Sequence, residues 1–420
     1  MDRIEEIFLN RKEDNRYNTS YPLNPADWSR YRVNGPLPFP DKELSLYIHI
    51  PFCKKLCSFC EYTRTVCPED RIQIDYVRSL RRDILQWLST HPGLLIRGFD
   101  IGGGTPTALC DEAFQDLMEL FSEVKAAVQV SADFEPSIEG TFQTITDEKL
   151  EMIAAAGIRR LSLGIQSTNK DVLKNGGRSN AGLGETLLKR EKINDSGIKK
   201  LNIDLMYGLR GQSLENLSID IDWIRWMAPE QVTVYEYRPN MISGLPEADK
   251  ETLYRQYEAL YEGFSSLGYT ARFGANTFTK EPIDRGVSSY LRSRMKEGVP
   301  YKGFGLSAQS MSSEGVSYNL GKGRKNLSDI LSSESFPEEF TYVTPPVELM
   351  SKYIAIGAYS GEFSIRRASE LLGEDFRKRY SEELLWCLNK GYLEEAGDWI
   401  RITRQGFKFY GAVFSLFQNI

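Results

Sequence analysis

A parallel α/β sheet curled into a partial (β/α)6 barrel, with an N-terminal arm and a C-terminal winged-helix-like domain, is the fold this sequence predicts. Three observations carry that expectation. Six short apolar or β-branched runs recur from Leu46 to Tyr235, amphipathic stretches of helical length separate them, and the pattern changes to helices followed by a hairpin after about residue 326. Strands alternating with helices mark βαβ units and a parallel sheet. In such folds chemistry gathers at the C-terminal ends of the strands.

Residues 1–43 are polar, aromatic and punctuated by proline, and read as an arm that wraps something rather than as a domain. The core is expected over 44–325. Its strands are predicted at Leu46–Ile50, Gly98–Ile101, Val128–Phe134, Arg160–Ile165, Leu201–Met206 and Val232–Tyr235. Helices are predicted between them at Ile72–Ser89, Ala113–Val124, Asp147–Ala155, Leu183–Ser196 and Leu214–Trp226, from apolar residues at helical spacing. A Gly- and Ser-rich stretch, Gly303 to Ser313, closes this part.

Residues 326–420 are predicted as helices Ser364–Leu372 and Asp375–Lys390, a hairpin across Tyr392–Ile402, and a last helix after Thr403. Helices before a hairpin resemble a winged-helix module. The would-be recognition helix, however, carries Glu382 and Glu383 beside Lys390 and shows no stripe for phosphates. A packing or lid role is expected instead of DNA binding.

Composition narrows the class. The chain has 420 residues, 41% hydrophobic and 26% charged, as ordinary globular proteins have. That length suggests two or three domains. No run approaches the ~20 apolar residues of a membrane span, and the charged N-terminus has no apolar signal core. A net charge of −6 without a long basic tract advertises no nucleic-acid partner. Six scattered or clustered cysteines do not form a disulfide framework, so a reducing cytoplasmic setting is expected.

The most informative feature is Cys53, Cys57 and Cys60, spaced C-x3-C-x2-C in a polar loop after the first predicted strand. Three thiolates can hold three irons of a 4Fe–4S cubane and leave the fourth open to a ligand that is not protein. Zinc sites usually show paired C-x2-C units or Cys/His sets of four. Here Cys67, Cys110 and Cys387 lie apart, and the only histidines are His49 and His91.

Gly102-Gly103-Gly104-Thr105-Pro106 follows the second predicted strand. Glycines there let backbone approach a ligand, and free N–H groups can bond a carboxylate or ribose. The spacing matches neither the dinucleotide fingerprint nor the P-loop. Polar residues recur near the ends of the later strands: Glu135, Gln166, Asp204, Glu236 and Arg238. Together on one rim they suit the amino, ribose and adenine groups of a nucleoside cofactor.

The cysteine spacing is that of the radical S-adenosylmethionine (SAM) enzymes, and the chain resembles their HemN-like, coproporphyrinogen-dehydrogenase-like family through most of its length. The resemblance rests on Arg16–Pro22, Leu46–Cys53, Gly102–Pro106, Arg160–Gln166, Asn202–Leu209 and Gly303–Ala308. It implies Cys53, Cys57 and Cys60 as cluster ligands and two SAM molecules. Tyr47, Gly103 and Glu135 match positions around the first; Phe59, Gly104, Thr105, Gln166, Arg178 and Asp204 match positions around the second. Gln309 and Arg238 stand at two further contacts where the family has an aliphatic and a small residue.

Two departures follow. Glu61-Tyr62 takes the place of a further cysteine found in the porphyrinogen dehydrogenases, and Ser288-Ser289-Tyr290-Leu291 replaces the His-Asn segment of the haem-chaperone branch. The resemblance therefore implies the branch nearer the class C radical methylases. The expected activity is 5′-deoxyadenosyl radical chemistry, with a second SAM as methyl or methylene donor to an sp2 carbon of an aromatic or tetrapyrrole substrate. Tyr235, Glu236, Tyr237 and Arg238 are the residues expected to face that substrate, for proton handling or anchoring. Oxidative decarboxylation of coproporphyrinogen III and haem carriage are the alternatives. A low-potential electron donor such as flavodoxin or ferredoxin, and a monomeric state, are expected as well.

Overall fold

The computed structural model describes residues 3–13, 21–238, 248–281, 286–324 and 326–420. Its centre is a mixed α/β fold: six parallel strands in chain order, Glu43–Ile50, Leu95–Gly103, Ser137–Gly140, Arg160–Gln166, Lys200–Tyr207 and Gln231–Glu236. The helices Asp70–Thr90, Asp111–Ala127, Asp147–Ala155, Leu183–Asp195 and Leu214–Met227 cover the outside, each close to its expected span.

Side-chain alternation explains why the sheet curls with chemistry inside. On the first strand Leu46, Ile48 and Ile50 join one apolar core with Phe99, Ile101, Leu161, Leu163, Ile203 and Val232, together with helix residues such as Leu80 and Leu117. Each fully buried aliphatic there contributes about 1.5–3 kcal/mol. Residues of the opposite parity face the lumen and are polar: Asp100, Ser137, Glu139, Arg160, Ser162, Asn202, Asp204 and Thr233.

Helix Ser289–Met295 closes the bottom of this lumen. Ser288 donates to Asp100 at 2.6 Å, and Ser45 and Ser293 share a hydrogen bond of 2.7 Å. The approach needs Gly98, where a Cβ would fall 2.2 Å from the Tyr290 backbone nitrogen.

The third strand departs from expectation. Of the Val128–Phe134 run only Gln129–Val130 is extended, beside the start of the second strand, and the barrel strand is Ser137–Gly140. Glu135 therefore precedes the third strand rather than following it.

The sheet also crosses the two expected domain boundaries. Tyr301–Phe304 runs parallel to the first strand, and Gln309–Ser312, Gly315–Asn319 and Glu338–Val343 continue it antiparallel. Glu338–Val343 lies beyond residue 326, and Arg32–Val33 of the expected arm pairs with it at the sheet edge. The expected helix Asp375–Lys390 is two pieces, Phe376–Arg379 and Ser381–Asn389, broken at Tyr380. The hairpin is present as Leu393–Ala396 and Trp399–Ile402, with Glu362–Ser364 as its third strand.

The N-terminal region has more structure than its composition suggests. Helix Arg3–Arg11 sets Phe8 against Trp386 and Tyr392, with ring centroids 5.2 Å apart in both pairs. Arg16–Ser20 of the motif Arg16–Pro22 lie outside the described residues. No helix among the described residues is long and apolar enough to cross a membrane.

Candidate functional site

The cysteine loop is hung from the barrel rim at several points. Phe52–Cys53 and Thr65–Val66 form a short parallel pair that closes its base. Cys67 N–H donates to the Cys53 carbonyl at 2.9 Å, and Ser58 N–H to the Gly176 carbonyl at 2.9 Å. Phe59 is buried among Val172, Met206, Leu209 and Tyr237, a hydrophobic anchor between Cys57 and Cys60. Arg64 donates to the Cys57 carbonyl.

All three cysteines line one cavity at the C-terminal ends of the strands. Thr105 donates to Cys53 Sγ at 3.6 Å, and Arg178 Nη1 lies 3.9 Å from Cys57 Sγ. Burial pushes the Cys53 thiol up to about 11 and raises Cys60 too, with Arg64 opposing the shift at both. Thiolates in such a place need a metal cation beside the sulfur. Among the described residues no three His, Cys, Asp or Glu side chains converge as ligands of a metal ion. A cubane spreads its thiolates over separate irons and does not require convergence on one.

The glycine turn forms the adjoining wall, though not as expected. The Gly104 N–H bonds the Ile50 carbonyl and the Thr105 N–H the Phe52 carbonyl, each at 2.7 Å, while Gly103 N–H donates to Glu139 at 3.2 Å. The expected free donors are thus already engaged. What the glycines supply is proximity: a Cβ on Gly104 would lie 2.7 Å from the Phe52 oxygen, and Gly103 has φ +117°.

Facing the cysteines are Glu139, Gln166, Arg178 and Asp204. Burial raises Glu139 to about 7, helped by the charge of Asp204 and opposed by the Gly103 N–H. Asp204 accepts from Ser162 at 2.9 Å and from Asn202 at 2.8 Å; burial raises it, against the pull of Arg160. Gln166 has φ +69° at a register shift between Gly164 and Gln166, which turns its side chain back over Gly164. Arg178 donates to the Gly164 carbonyl, fixing the same corner.

The rest of the wall holds Tyr235, Glu236 and Arg238. Glu236 accepts from Tyr207 at 3.2 Å and from Tyr410 at 3.4 Å. The Arg238 guanidinium donates to the Tyr359 hydroxyl and lies 5.3 Å from that ring. Tyr359 lines the cavity from the C-terminal region, and Tyr62, 60% exposed, lines it at the solvent side.

Four expected residues lie elsewhere. Glu135 is at the opposite end of the barrel, where its carboxylate pairs with Lys200 at 2.7 Å. Its expected place is taken by Glu139. Tyr237 is buried beneath Phe59, outside the cavity lining. Tyr47 sits on the first strand behind the cavity, its hydroxyl 3.3 Å from His49 Nδ1 and its ring stacked on Tyr290. Gln309 lies on the antiparallel extension, bonded to Tyr301 and, at 2.7 Å, to Tyr318.

Sequence reasoning missed Glu139, Tyr62 and Tyr359. For Glu139 a signal existed: Pro136 ends any strand reaching it, and the lumen-facing carboxylate two strand positions into the next run is Glu139. Tyr359 reaches the site from a short helical turn far along the chain, with no local sign of its role.

Residues 47–224 match the Radical SAM superfamily. The heme chaperone HemW of Bacillus subtilis is 25% identical over 385 residues, 89% of this chain and 98% of that one. The oxygen-independent coproporphyrinogen III oxidase of Escherichia coli is 30% identical over 311 residues, 70% of this chain but 62% of that one. HemW of Buchnera aphidicola from Acyrthosiphon pisum is 33% identical over 278 residues, 61% of this chain and 72% of that one. The solved structure of coproporphyrinogen III oxidase (HemN) from Escherichia coli superposes with a TM-score of 0.73 at 22% identity, covering 91% of each chain.

Proposed function

This chain belongs to the HemN/HemW-like family of radical SAM proteins, and on that premise we propose that it carries out SAM-dependent radical chemistry on a tetrapyrrole seated at the barrel mouth. One observation carries the reading. Three cysteines with an open-iron spacing share a single cavity with Glu139, Gln166, Arg178 and Asp204.

The residues fit the group the family implies. Cys53, Cys57 and Cys60 would hold a 4Fe–4S cluster, and the glycine turn packs its backbone close against the Phe52 end of their loop. Bound there, cluster and SAM supply reductive cleavage and a hydrogen-abstracting radical, given a low-potential electron donor such as flavodoxin or ferredoxin. The chain's own work is placement. Glu139 and Asp204 present carboxylates to cationic or hydroxyl groups of the cofactor, and Gln166 and Arg178 fix its polar edge. Phe59 seals the loop from below, and Tyr62 and Tyr359 narrow access by water. Tyr235, Glu236 and Arg238 face the substrate side, where the guanidinium suits an acidic substituent.

Relatives named as a coproporphyrinogen III oxidase and as heme chaperones support a tetrapyrrole. They lend no support to the methyl or methylene transfer expected from the class C resemblance. A carrier function is the second reading, favoured by the nearly full-length match to a heme chaperone. Against it stands the state of the histidines. His49 engages Thr63 at 2.8 Å through Nε2 and Tyr47 through Nδ1, and His91 is stacked on Trp87.

The test is anaerobic reconstitution with iron and sulfide, then dithionite and SAM with a trideuterated methyl group, with and without a porphyrinogen. Cys57→Ala serves as control. Unlabelled 5′-deoxyadenosine that rises with porphyrinogen, with loss of carbon dioxide from the substrate, supports the proposal in its decarboxylating form. Deuterium in deoxyadenosine points to a second SAM as donor. Haem uptake with a shifted Soret band and no deoxyadenosine identifies a carrier and sinks the enzymatic reading.

A further inference from the structure

The loop that carries the cysteines has two sides. Its inner side faces the cavity, with Lys55 at the cavity edge, while Lys54 and Leu56 are exposed outside the cavity lining. Two neighbouring loops are stitched to it. The Ser58 N–H donates to the Gly176 carbonyl at 2.9 Å, and the Leu56 carbonyl lies against Gly177, where a Cβ would meet it at 3.6 Å. Asn175 Nδ2 in turn donates to the Arg210 carbonyl at 3.1 Å. Lys54, Lys174 and Arg210, all exposed, thus follow the first, fourth and fifth barrel strands onto one surface.

Apolar side chains lie among these cations. Leu56 is 41% exposed, and Val66, paired with Cys53, is 52% exposed. Among the described residues Lys54, Lys174 and Arg210 have no ion-pair partner within 4.0 Å. Asp171, one turn before Lys174 on the same short helix, is matched by Lys170. Glu61, the acidic residue of the cysteine loop, lines the cavity instead. Unpaired cations gathered on a chain of net charge −6 attract and orient an acidic partner. An apolar centre within a charged rim is the anatomy of a protein interface, and a small one suits the brief encounters of electron carriers.

Position supplies the rest. Lys54 follows Cys53 and Leu56 precedes Cys57, so a protein seated here stands one residue from two of the three cysteines. Reductive cleavage of SAM takes an electron from outside the chain.

We propose that the outer face of the cysteine loop, rimmed by Lys54, Lys174 and Arg210 around Leu56, docks an acidic flavoprotein of the flavodoxin kind. The proposal rests on the radical reading and deepens it by naming where the electron enters. The reduced flavin loses one electron, the cluster held by the cysteines gains it, and no atom crosses the interface. Leu56 and Val66 suit the apolar dimethylbenzene edge of a flavin, and the cations suit carboxylates around it.

Calorimetric titration of the reconstituted full chain with an acidic flavodoxin, at low and at high salt, tests this. Lys54→Glu, Lys174→Glu and Arg210→Glu combined should weaken binding about tenfold at low salt and remove most of its salt dependence. Lys125→Glu, Lys199→Glu and Arg225→Glu combined change the net charge equally at exposed positions of the opposite end of the barrel, and should bind as the wild type does. None of the six side chains lines the cavity, so the deoxyadenosine yield with dithionite should match the wild type in both variants. No flavodoxin binding by the wild type, unchanged affinity in the first variant, or an equal loss in the second overturns the surface. So does wild-type preference for an acidic ferredoxin over flavodoxin. In each case the radical reading stands on the dithionite result. No deoxyadenosine from the wild type with dithionite removes that reading, and the docking surface with it.

Discussion

Glu139 directs its carboxylate at the backbone N–H of Gly103, 3.2 Å away, and so joins the third barrel strand to the glycine turn at the end of the second. A Cβ on Gly102 would fall within 2.7 Å of that same carboxylate. The group is half-buried, aimed at the cavity, and held by one backbone donor. Its second oxygen is available to a ligand.

Glu139→Gln should weaken SAM binding to the cluster-loaded protein by about tenfold to a hundredfold, the scale of a charged hydrogen bond. Glu135→Gln should leave it unchanged. Because burial raises Glu139 to about 7, wild-type affinity for the cationic ligand should rise as pH increases through 7 and level off above it. The Gln variant should lack that component. Equilibrium dialysis between pH 6 and 8, an interval of about 2 units centred on the group, reads both effects.

Gly164→Ala should disturb the cofactor corner without unfolding the barrel. Its Cβ would fall 2.7 Å from Gln166 Nε2, so that side chain must turn away, while Arg178 Nη2 at 3.4 Å stays in ordinary contact. A loss of SAM affinity with cluster absorbance retained is the expected outcome, alongside about 1–3 kcal/mol of destabilisation. Unchanged affinity would show that the Gln166 side chain does not hold the cofactor.

Asp220 gives a pH signature in stability. Its carboxylate accepts from Thr168 N–H and hydroxyl at 2.6 Å each and from Ser167 at 3.1 Å, yet burial raises it to about 6. A carboxyl raised on folding favours the folded state most below its unfolded value near 4, and the advantage is lost as pH rises through 6. Denaturant melts from pH 4 to pH 7 should show this fall in the wild type, and a flatter profile in Asp220→Asn.

Much of the barrel was legible because its outward faces are apolar at strand spacing and its helices amphipathic. The third strand was not. Half of Ser137–Gly140 faces a polar lumen, so Ser137 and Glu139 break the apolar signal, while Val128–Phe134 has the composition of a strand without a sheet position to fill. The cysteine loop was readable from its motif and Gln166 and Asp204 from rim position, while Arg178 came only through the family resemblance. Tyr359 was not readable, since it reaches the cavity from a short helical turn whose own sequence answers to packing.

Glu348→Ala should release the N-terminal region. Glu348 accepts from Tyr21, from Trp28 Nε1 at 3.0 Å, from Tyr31 at 3.2 Å and from Asn419 at 3.0 Å, so one buried carboxylate ties three aromatic residues of the expected arm to helix Pro346–Gly357. Its loss should cost about 2–4 kcal/mol. Faster proteolysis before residue 31 and a red-shifted Trp28 emission are the expected readouts. A wild-type digestion pattern would mean that the strand pairing of Arg32–Val33 is enough to hold the segment.

Helix Ser289–Met295 makes the barrel a vessel stopped at one end. Among the described residues the cysteine cavity opens on the side where Tyr62 is exposed, and guests that use one opening form a queue. The guest seated deepest arrives first and departs last, so the cofactor should load before the substrate, and the products should leave in reverse. Turnover then depends on how fast the outermost guest gives way as well as on the chemistry behind it.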